Sequence, residues 1–280
     1  MGSIRVAVVG TGGIAGQHGF ALNENPDAEI VAAVDVSREN RESFAKRWGG
    51  RPYEKLSDCL DTVDAVYVLT PPGFRRVYAT EAMNAGKHVF CEKPLAITVD
   101  DGAAIMEAGR TSGVVAMTGF NQRYRPGYSR LHEVTRSGRL GKPYHFWCQR
   151  FGMGAGATGT IAQHNWRTDP ATLCGMTVES LSHDIDLLRW IMADEITSVA
   201  AITFNTAAEL KGFDNNAHVL MNLWSGASAV ITASWSSRIG FNSRGVLGET
   251  GTAFVSGTDI GNNGIWCSRE FHCKTDDDAY

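Results

Sequence analysis

A lysine and a histidine stand in sequence contexts that suit proton-transfer chemistry. Lys93 lies in the stretch CEKPLA, between an apolar run and Pro94, and His183 lies in ESLSHDIDLLRW. Histidine has an unperturbed pKa of about 6.5, so it can take a proton near neutral pH. An ammonium group can stabilise a developing alkoxide. The two residue types together suit the removal of a proton from a substrate hydroxyl.

Two carboxylates accompany the histidine. Glu179, His183, Asp186 and Trp190 are spaced i, i+4, i+7 and i+11, which predicts one helix over 175–193 with all four on one face. The structural alternative is a solvated face whose charges cap neighbouring elements. The HxxD pattern is not a metal signature, and no HExxH motif accompanies it, so no metal is expected here.

A glycine-rich turn follows the first apolar run. The sequence GTGGIA at 10–15 fits the pattern G-x-G-x-x-A. Gly10 allows a tight turn, Gly12 lets the backbone approach a pyrophosphate, and Ala15 keeps the following helix close to the sheet. A turn that is tight for packing alone is the alternative. The context of a strand before and a helix after favours a dinucleotide site.

Asp35 ends the second apolar run, twenty residues after Ala15. A carboxylate there accepts hydrogen bonds from ribose hydroxyls and repels a 2′-phosphate, which favours NAD over NADP. Arg38 nearby could accommodate that phosphate, so NADP stays open. The remaining cofactor-binding residues expected from these two turns are Thr11, Gly13, Ile14 and Ser37.

The third apolar run leads into LTPPGF at 69–74. Ligands of parallel sheets bind beyond the carboxyl ends of the strands, so Thr70 and Pro71 are expected to flank a ribose of the cofactor. A Pro-Pro turn without any ligand contact is the alternative.

The elements that must position these residues alternate through the first 120 residues. Apolar, β-branched runs lie at 4–9, 29–34, 65–69, 88–90 and 114–117, with helix-like segments between them. Short apolar strands separated by helices predict an α/β, doubly wound parallel sheet, the Rossmann arrangement. Gly86 and Gly113 are placed to end helices with positive φ.

The pattern changes after residue 120. A helix at about 126–138 and the helix at 175–193 are followed by runs of strand-like sequence from 195 onward. This predicts a second, α+β domain at 121–280 with a large, mostly antiparallel open sheet. Domain 1–120 is then the NAD(P)-binding domain, because it contains the glycine-rich turn and Asp35.

The composition narrows the class of protein. A net charge of −4 gives no basic surface for nucleic acid, and no apolar run approaches the roughly 20 residues that span a membrane. The N-terminus resembles a strand and not a signal peptide. The six cysteines form no CxxC pair, so free thiols and a cytoplasmic location are expected. Cys267, His272 and Cys273 are close in sequence but lack zinc spacing.

Six motifs in order resemble one enzyme family. AVVGTGGIA, TPP, AGKHVFCEKPLA, GFNQRYRP, WRTDP and ESLSHDIDLLRW are similar to the Gfo/Idh/MocA oxidoreductases, and the last of them is most similar to inositol dehydrogenases. The resemblance extends to about residue 256. It implies a Rossmann domain and a substrate-binding and oligomerisation domain at 121–280, whose open sheet face forms dimers or tetramers. It also implies hydride transfer between NAD(P) and a sugar or cyclitol hydroxyl.

The resemblance also implies roles for particular residues. Lys93 corresponds to the EKP lysine, with Glu92 as its neighbour at the cofactor, and His183 to the catalytic histidine. Glu179 would orient His183, and Asp186 would bind a substrate hydroxyl. Arg123, Lys93 and His183 would also contact the substrate. The residues implied to line the nicotinamide side and the loop over it are Asn121, Arg123, Trp166 and Arg167.

Three departures from the family pattern stand out. Glu179 replaces an aspartate, Arg75 replaces a histidine after TPxxx, and the chain ends at Tyr280 where relatives continue. The last departure indicates either a shorter relative or a chain that lacks part of its C-terminus. The function expected is an NAD-dependent dehydrogenase for a secondary hydroxyl of a sugar, inositol or polyol. The alternatives are an NAD-dependent glycosidase that oxidises its substrate transiently, and a non-catalytic dinucleotide-binding regulator.

Overall fold

The protein folds as two compact units. The structure, a computed structural model, describes residues 2–153, 174–206, 213–259 and 270–278. The units are Met1–Gly119 and Phe120–Tyr280, and each contains one sheet. No helix in the described ranges is both long and apolar enough to cross a membrane.

The first unit alternates strands and helices. Its strands are β1 (Ile4–Val9), β2 (Ala28–Val34), β3 (Arg51–Tyr53), β4 (Ala65–Val68), β5 (His88–Cys91) and β6 (Ala116–Thr118). Its helices are α1 (Ala15–Asn23), α2 (Arg38–Trp48), α3 (Arg75–Asn84) and α4 (Val99–Ser112). The strand order is β3–β2–β1–β4–β5–β6, and all neighbouring pairs are parallel. The predicted doubly wound sheet is confirmed.

The apolar runs form this sheet because both of its faces are buried. Val6 and Val8 of β1 pack into one core cluster, whereas Ala7 and Val9 pack into another. Alternate side chains of a strand point to opposite faces, so helices cover both sides of β1. The short strand β3 was not predicted, because Arg51–Tyr53 contains a proline and a mostly exposed side-chain set instead of an apolar run.

Glycines end two of these helices as predicted. Gly86 follows the C-terminus of α3 with φ 72°, and Gly113 caps α4 with φ 68°. At the other end of α4, the Thr98 hydroxyl accepts a hydrogen bond from the backbone N–H of Asp101. Such caps satisfy the backbone groups that a helix leaves unpaired at its ends.

The second unit is an α+β fold. Its helices are α5 (Pro126–Arg136), α6 (Gly175–Glu179) and α7 (Ser182–Met192). Its strands are β7 (Pro143–Met153), β8 (Ile196–Phe204), β9 (Asn216–Leu223), β10 (Ser228–Ser234), β11 (Ser236–Gly248), β12 (Gly251–Asp259) and β13 (Glu270–Thr275). Their order is β13–β12–β11–β7–β10–β9–β8, antiparallel except for the β7–β10 pair. The predicted mostly antiparallel sheet is confirmed.

The two faces of this sheet differ in burial. Phe146 of β7 and Ile231 of β10 are fully buried in a core cluster that contains residues of all three helices. Side chains on the opposite face of the sheet are accessible to solvent, and Ile202 and Leu220 are 68% and 61% exposed. The second face therefore presents apolar side chains to the exterior of the unit.

The helix predicted over 175–193 is in fact two helices. The carbonyl of Met176 accepts hydrogen bonds from the N–H groups of both Ser180 and Leu181, so α6 ends in a widened, π-type turn before α7 begins. The expectation of one continuous helix was wrong. Glu179 is the last residue of α6, and His183 lies in the first turn of α7.

Candidate active site

The glycine-rich turn leaves open space where a phosphate group could lie. Gly10 has φ 86°, and a Cβ at this position would lie 2.7 Å from the backbone nitrogen of Thr70. Only glycine lets the end of β1 approach β4 so closely. In contrast, a Cβ on Gly12 or Gly13 would meet no atom within 4 Å. The turn is thus closed towards the sheet and open in front of α1.

Asp35 holds this turn and the start of α2 together. Its carboxylate accepts hydrogen bonds from the Thr11 backbone N–H at 2.8 Å and from the Ser37 backbone N–H at 2.8 Å. The Ser37 hydroxyl caps α2 through the N–H of Asn40. Asp35 lies directly after β2 and is only half-buried, so carboxylate lone pairs remain for further donors.

Two arginines near Asp35 form contacts with other groups of the protein. Arg38, which could have accommodated a 2′-phosphate, forms an exposed ion pair with Glu42 at 2.7 Å. Arg41 donates to the carbonyl oxygens of Asp35 and Val36 at 3.0 and 3.2 Å. The sequence analysis did not include Arg41. Its position six residues after Asp35, at the end of β2, is the feature that could have indicated a contact between the two.

Thr70 supplies a buried polar atom for a ligand. Its hydroxyl oxygen is buried and has no hydrogen-bond partner in the described part of the chain. Buried hydroxyls are normally paired, so one left over at the carboxyl end of β4 indicates a ligand that completes it. With the open space at Gly12 and Gly13, the residues present fit a bound dinucleotide. Pro71 follows in extended conformation and leads into a short 3₁₀ turn, Pro72–Phe74.

Lys93 lies immediately beyond β5 in a strongly constrained loop. Its backbone N–H donates to a Glu92 carboxylate oxygen at 2.9 Å, and its peptide bond to Pro94 is cis. The second Glu92 oxygen is 3.1 Å from Nε2 of His18 on α1. His18 in turn packs against the rings of Tyr67 and Phe90. The Glu92 carboxylate therefore connects α1 to the Lys93 loop through its contacts with His18 and with the Lys93 N–H.

The charge of Glu92 is stabilised although the group is largely buried. Burial alone would raise the pKa of Glu92, but the hydrogen bond and the positive charge of His18, the nearby Arg75 guanidinium and the Lys93 N–H together hold that pKa below its ordinary value. Glu92 is thus an anion near neutral pH. This suits a structural and electrostatic role beside Lys93 better than the role of a base.

The helices α6 and α7 bury the predicted acid–base group. Glu179, His183 and Asp186 are 8%, 4% and 6% exposed. The ring of Phe120 contacts the His183 ring edge-to-face, with centroids 6.1 Å apart. Burying three ionisable groups within eight residues is costly unless partners or function compensate. Such a cluster is typical of functional sites.

Asp186 and Arg123, both expected to bind substrate, pair with each other. Arg123 Nε donates to one Asp186 oxygen at 2.7 Å, and a second, shorter contact joins Nη2 to the other oxygen. The Arg123 guanidinium also lies 5.7 Å from the Trp190 ring centre, and Trp190 stacks on His132. The structure therefore fixes Arg123 in a bidentate, stacked arrangement.

A buried ion cluster anchors α7 next to His183. Asp184 is fully buried, and its carboxylate contacts Arg244 of β11 at 2.6 Å and Arg150 of β7 at 3.1 Å. Arg244 also donates to the Tyr128 hydroxyl at 2.8 Å. Burial would raise the pKa of Asp184, but the two guanidiniums hold it below its ordinary value. The residue next to His183 is thereby fixed to two strands of the sheet.

Sequence reasoning missed this anchor although a signal for it exists. Asp184 shares a helical stripe with Leu181, Leu188 and Ile191, all of which are buried. A carboxylate within an apolar stripe needs a buried cationic partner. The identity of that partner, Arg244, could not be read from the sequence, because it lies sixty residues away on a strand.

The other predicted site residues are less constrained by the structure. Asn121 is exposed and begins a 3₁₀ turn, Asn121–Tyr124. Trp166 and Arg167 lie outside the described residues, as does Cys267. Within the ranges that the structure describes, no group of three or more histidine, cysteine or acidic side chains is arranged to hold a metal ion.

Comparison with known proteins identifies the family. Residues 4–120 match an oxidoreductase family with an NAD-binding Rossmann fold, and residues 128–254 match the GFO/IDH/MocA C-terminal domain. The chain belongs to the Gfo/Idh/MocA oxidoreductase family. Its first unit is accordingly an NAD-binding Rossmann domain, and the protein is an NAD-binding oxidoreductase.

Curated relatives include named inositol dehydrogenases. The chain is 29% identical to scyllo-inositol 2-dehydrogenase (NAD(+)) of Bacillus subtilis strain 168 over 90% of this chain and 73% of the relative. It is 31% identical to inositol 2-dehydrogenase 3 of Saccharopolyspora erythraea over 89% of this chain and 72% of the relative. These relatives confirm the resemblance to inositol dehydrogenases that the sequence motifs indicated.

Solved structures share the fold. The WlbA dehydrogenase from Bordetella pertussis, in complex with NADH and UDP-GlcNAcA, has a TM-score of 0.84 at 28% identity and covers 91% of this chain and 74% of its own. GenD2 from gentamicin A biosynthesis, in complex with NAD, has a TM-score of 0.82 at 27% identity, over 91% and 73% of the two chains. Both relatives are Rossmann-fold proteins crystallised with a nicotinamide cofactor.

Proposed function

We propose that this protein oxidises a secondary hydroxyl of a sugar, an inositol or a related polyol, with NAD as the hydride acceptor. The observation that carries the proposal is the burial of His183 together with Glu179 and Asp186 in a family of NAD-binding oxidoreductases. Burial of ionisable groups carries a desolvation cost, and clusters of such groups are enriched at functional sites.

Each residue has a defined task in this proposal. His183 takes the proton of the substrate hydroxyl as general base, and Glu179 orients its imidazole ring. The Lys93 ammonium stabilises the negative charge that develops on the oxygen. Bound NAD would supply the acceptor for the hydride that leaves the same carbon. The first unit thus serves cofactor binding and the second serves substrate binding and assembly.

The proposed cofactor contacts follow from the Rossmann turn. The backbone of Gly10–Ile14 would hold the pyrophosphate, and Asp35 would accept hydrogen bonds from the adenosine ribose. The Thr70 hydroxyl and Pro71 would contact the cofactor beyond β4, with Glu92 next to them beyond β5. The preference for NAD over NADP rests on the charge of Asp35 and on the ion pair that occupies Arg38.

The proposed substrate contacts come from the second unit. Asp186 and Arg123 present a fixed pair of hydrogen-bonding groups suited to vicinal hydroxyls, and Asn121, Trp166 and Arg167 are expected to complete the site. The named relatives act on inositols, whereas WlbA binds UDP-GlcNAcA. A polyhydroxylated ring is the chemistry that these substrates share.

The test is a substrate panel read as absorbance of the reduced cofactor. Inositols, aldoses, amino sugars and a UDP-linked uronic acid are each supplied with NAD or NADP. We expect reduction of NAD with at least one ring polyol and slower or no reduction of NADP. Glycosides are included, since release of sugar without net NADH would assign a transiently oxidising glycosidase. NAD binding without turnover on any compound would favour a regulator.

We further propose that the protein is a homodimer or homotetramer formed through the outer face of the seven-stranded sheet. This face is defined by Ile202, Leu220, Val230, Trp147 and Phe254, which alternate with core residues along neighbouring strands. Ile202 and Leu220 are exposed and the other three are half-buried, and a large apolar patch on a surface marks an interaction site. A second copy of the chain would cover them.

A further inference from the structure

The side chain of Arg75 is buried at a position where the resemblance predicts a histidine. Arg75 is the first residue of α3 and is only 4% exposed. A buried guanidinium is costly unless its N–H groups are used and its charge is balanced. The structure shows how both conditions are met.

Arg75 links the two loops that carry Thr70 and Lys93. Its Nε donates to the backbone carbonyl of Thr70 at 2.9 Å, and its Nη1 donates to the carbonyl of Pro94 through a short contact. Thr70 lies just beyond β4, and Pro94 just beyond β5. These carbonyls lie outside the strand ladders, so the guanidinium replaces partners that the sheet no longer provides.

The charge of Arg75 is balanced by the Glu92 carboxylate, which lies just beyond β5. Its positive charge is one of the causes that lower the pKa of Glu92. Glu92 in turn accepts the backbone N–H of Lys93. Two hydrogen bonds thus fix the Lys93 loop: the Lys93 N–H donates to Glu92, and the Pro94 carbonyl accepts from Arg75.

We propose that Arg75 is a positioning residue that sets the place of the Lys93 ammonium and of the orphaned Thr70 hydroxyl. The inference rests on the proposed function in so far as Lys93 takes part in turnover. Arg75 acts through the backbone of its two partners and touches neither substrate nor cofactor in this account.

The task requires arginine in particular. Two donors at fixed separation on a planar fork reach two carbonyls at once, whereas a lysine ammonium is a point charge on a flexible stem. Glutamine offers an amide without charge. Arg75→Lys therefore keeps the charge but loses the fork, and Arg75→Gln loses both.

The experiment compares Arg75→Lys and Arg75→Gln with Arg76→Gln. Arg76 is the next residue of α3 but is exposed and paired with Asp101, so it is a matched control. With the polyol that the substrate panel identifies, we expect both Arg75 variants to lose about 10- to 100-fold in kcat, the range that a misplacement of about 1 Å produces. KM for the polyol should change little, and the control should match the wild type.

A second readout does not depend on turnover. Acetic anhydride is allowed to compete for Lys93 at a series of pH values, and the labelled peptide is quantified by mass spectrometry. In Arg75→Gln the midpoint of Lys93 labelling should move to higher pH, because Glu92, next to Lys93 in the chain, loses the counter-charge of Arg75 and attracts the ammonium more strongly. Arg76→Gln should leave the midpoint unchanged.

The two readouts separate the possible failures. If wild-type protein oxidises no polyol, the proposed function fails, and Lys93 labelling still decides the role of Arg75. If both Arg75 variants show wild-type kcat and wild-type Lys93 labelling while thermal stability falls, Arg75 only supports the fold and the inference is overturned. Arg75→Lys keeps this decision possible if Arg75→Gln does not fold.

Discussion

At the scale of single residues, Asp35 combines a structural and a selective task. Its carboxylate accepts the backbone N–H groups of Thr11 and Ser37, which fixes both turns at the cofactor end of the sheet. The same negative charge would repel a 2′-phosphate. A substitution that removes the charge and keeps the side-chain size separates the two tasks.

Asp35→Asn should weaken NAD binding by about tenfold, equivalent to about 1.4 kcal/mol, and should bind NADP relatively better. The amide keeps one acceptor oxygen for the turn but no longer repels a phosphate. Titration calorimetry with each cofactor measures both dissociation constants, and Glu39→Gln, an exposed acid on α2, is the control. An unchanged ratio of the two constants would remove Asp35 from the account of cofactor choice.

The Arg123–Asp186 pair leads to a prediction about substrate affinity. Arg123→Lys cannot keep the bidentate contact or the position beside Trp190. We expect KM for the polyol to rise by about tenfold with kcat within about threefold, since uniform binding is lost while the base remains. Steady-state kinetics of this variant are compared with those of Arg130→Lys, which changes an exposed arginine of α5. A loss confined to kcat would contradict a substrate-binding role.

Much of the residue-level site could be predicted, because the motifs name side chains and turns. Lys93, Asp35 and His183 were assigned to the candidate site from their position after a strand or within a motif. The partners His18 of Glu92 and Arg244 of Asp184 were not, because each lies far away in sequence. Pair identity depends on the packing of elements, which one sequence does not specify.

At the scale of elements, the cluster of Asp184, Arg244 and Arg150 fixes the start of α7 to strands β11 and β7. Removing one partner of a buried ion pair leaves an uncompensated charge. We expect Asp184→Asn to lower the free energy of unfolding by about 3–5 kcal/mol. Urea unfolding measures this value. The control is Arg189→Gln, which breaks an exposed ion pair with Glu195 and should cost about 1 kcal/mol or less.

The same cluster predicts a dependence of stability on pH. The pKa of Asp184 is lower in the folded than in the unfolded protein, so its contribution is present above the unfolded pKa of about 3.9. That contribution is lost as the pH falls towards the folded value. The unfolding free energy of Asp184→Asn should therefore decline less than that of the wild type between about pH 5 and 3. Parallel curves for the two proteins would argue against the cluster.

The sequence predicted most elements, and the exceptions have physical causes. Strands β1, β8 and β9 were found because apolar or alternating runs mark them. The break between α6 and α7 was missed, because Ser180 and Leu181 include neither glycine nor proline. The Asp214 carboxylate fixes the start of α6 by accepting hydrogen bonds from the Thr177 N–H and hydroxyl, so the placement of this short helix depends on a contact that is distant in sequence.

At the scale of the whole molecule, the proposed assembly depends on the outer face of the seven-stranded sheet. A charge on that face should oppose burial against a second copy. We expect Leu220→Glu to shift the protein from dimer or tetramer to smaller species. Light scattering after size-exclusion chromatography measures the mass. Met106→Glu, at an exposed apolar side chain of α4, is the control. A wild-type monomer would reject the proposed assembly.

The two-part architecture was also predictable, because the change from alternating strand and helix patterns to runs of strands is a feature of the sequence. The parallel pairing of β7 with β10 inside an otherwise antiparallel sheet was not. A strand order of this kind arises from long connections, and local patterns carry no information about which distant strands will pair.

The central claim is that His183 and Lys93 promote hydride transfer from a polyol carbon to NAD. The most direct measurement uses the active polyol with deuterium on the reacting carbon and mass analysis of the reduced cofactor. We predict that the wild type transfers one deuterium to the cofactor. His183→Ala and Lys93→Ala should bind NAD normally, but their rate of deuterium transfer should be lower by several orders of magnitude. Near-normal transfer in either variant, or no deuterium in the cofactor, would contradict the account.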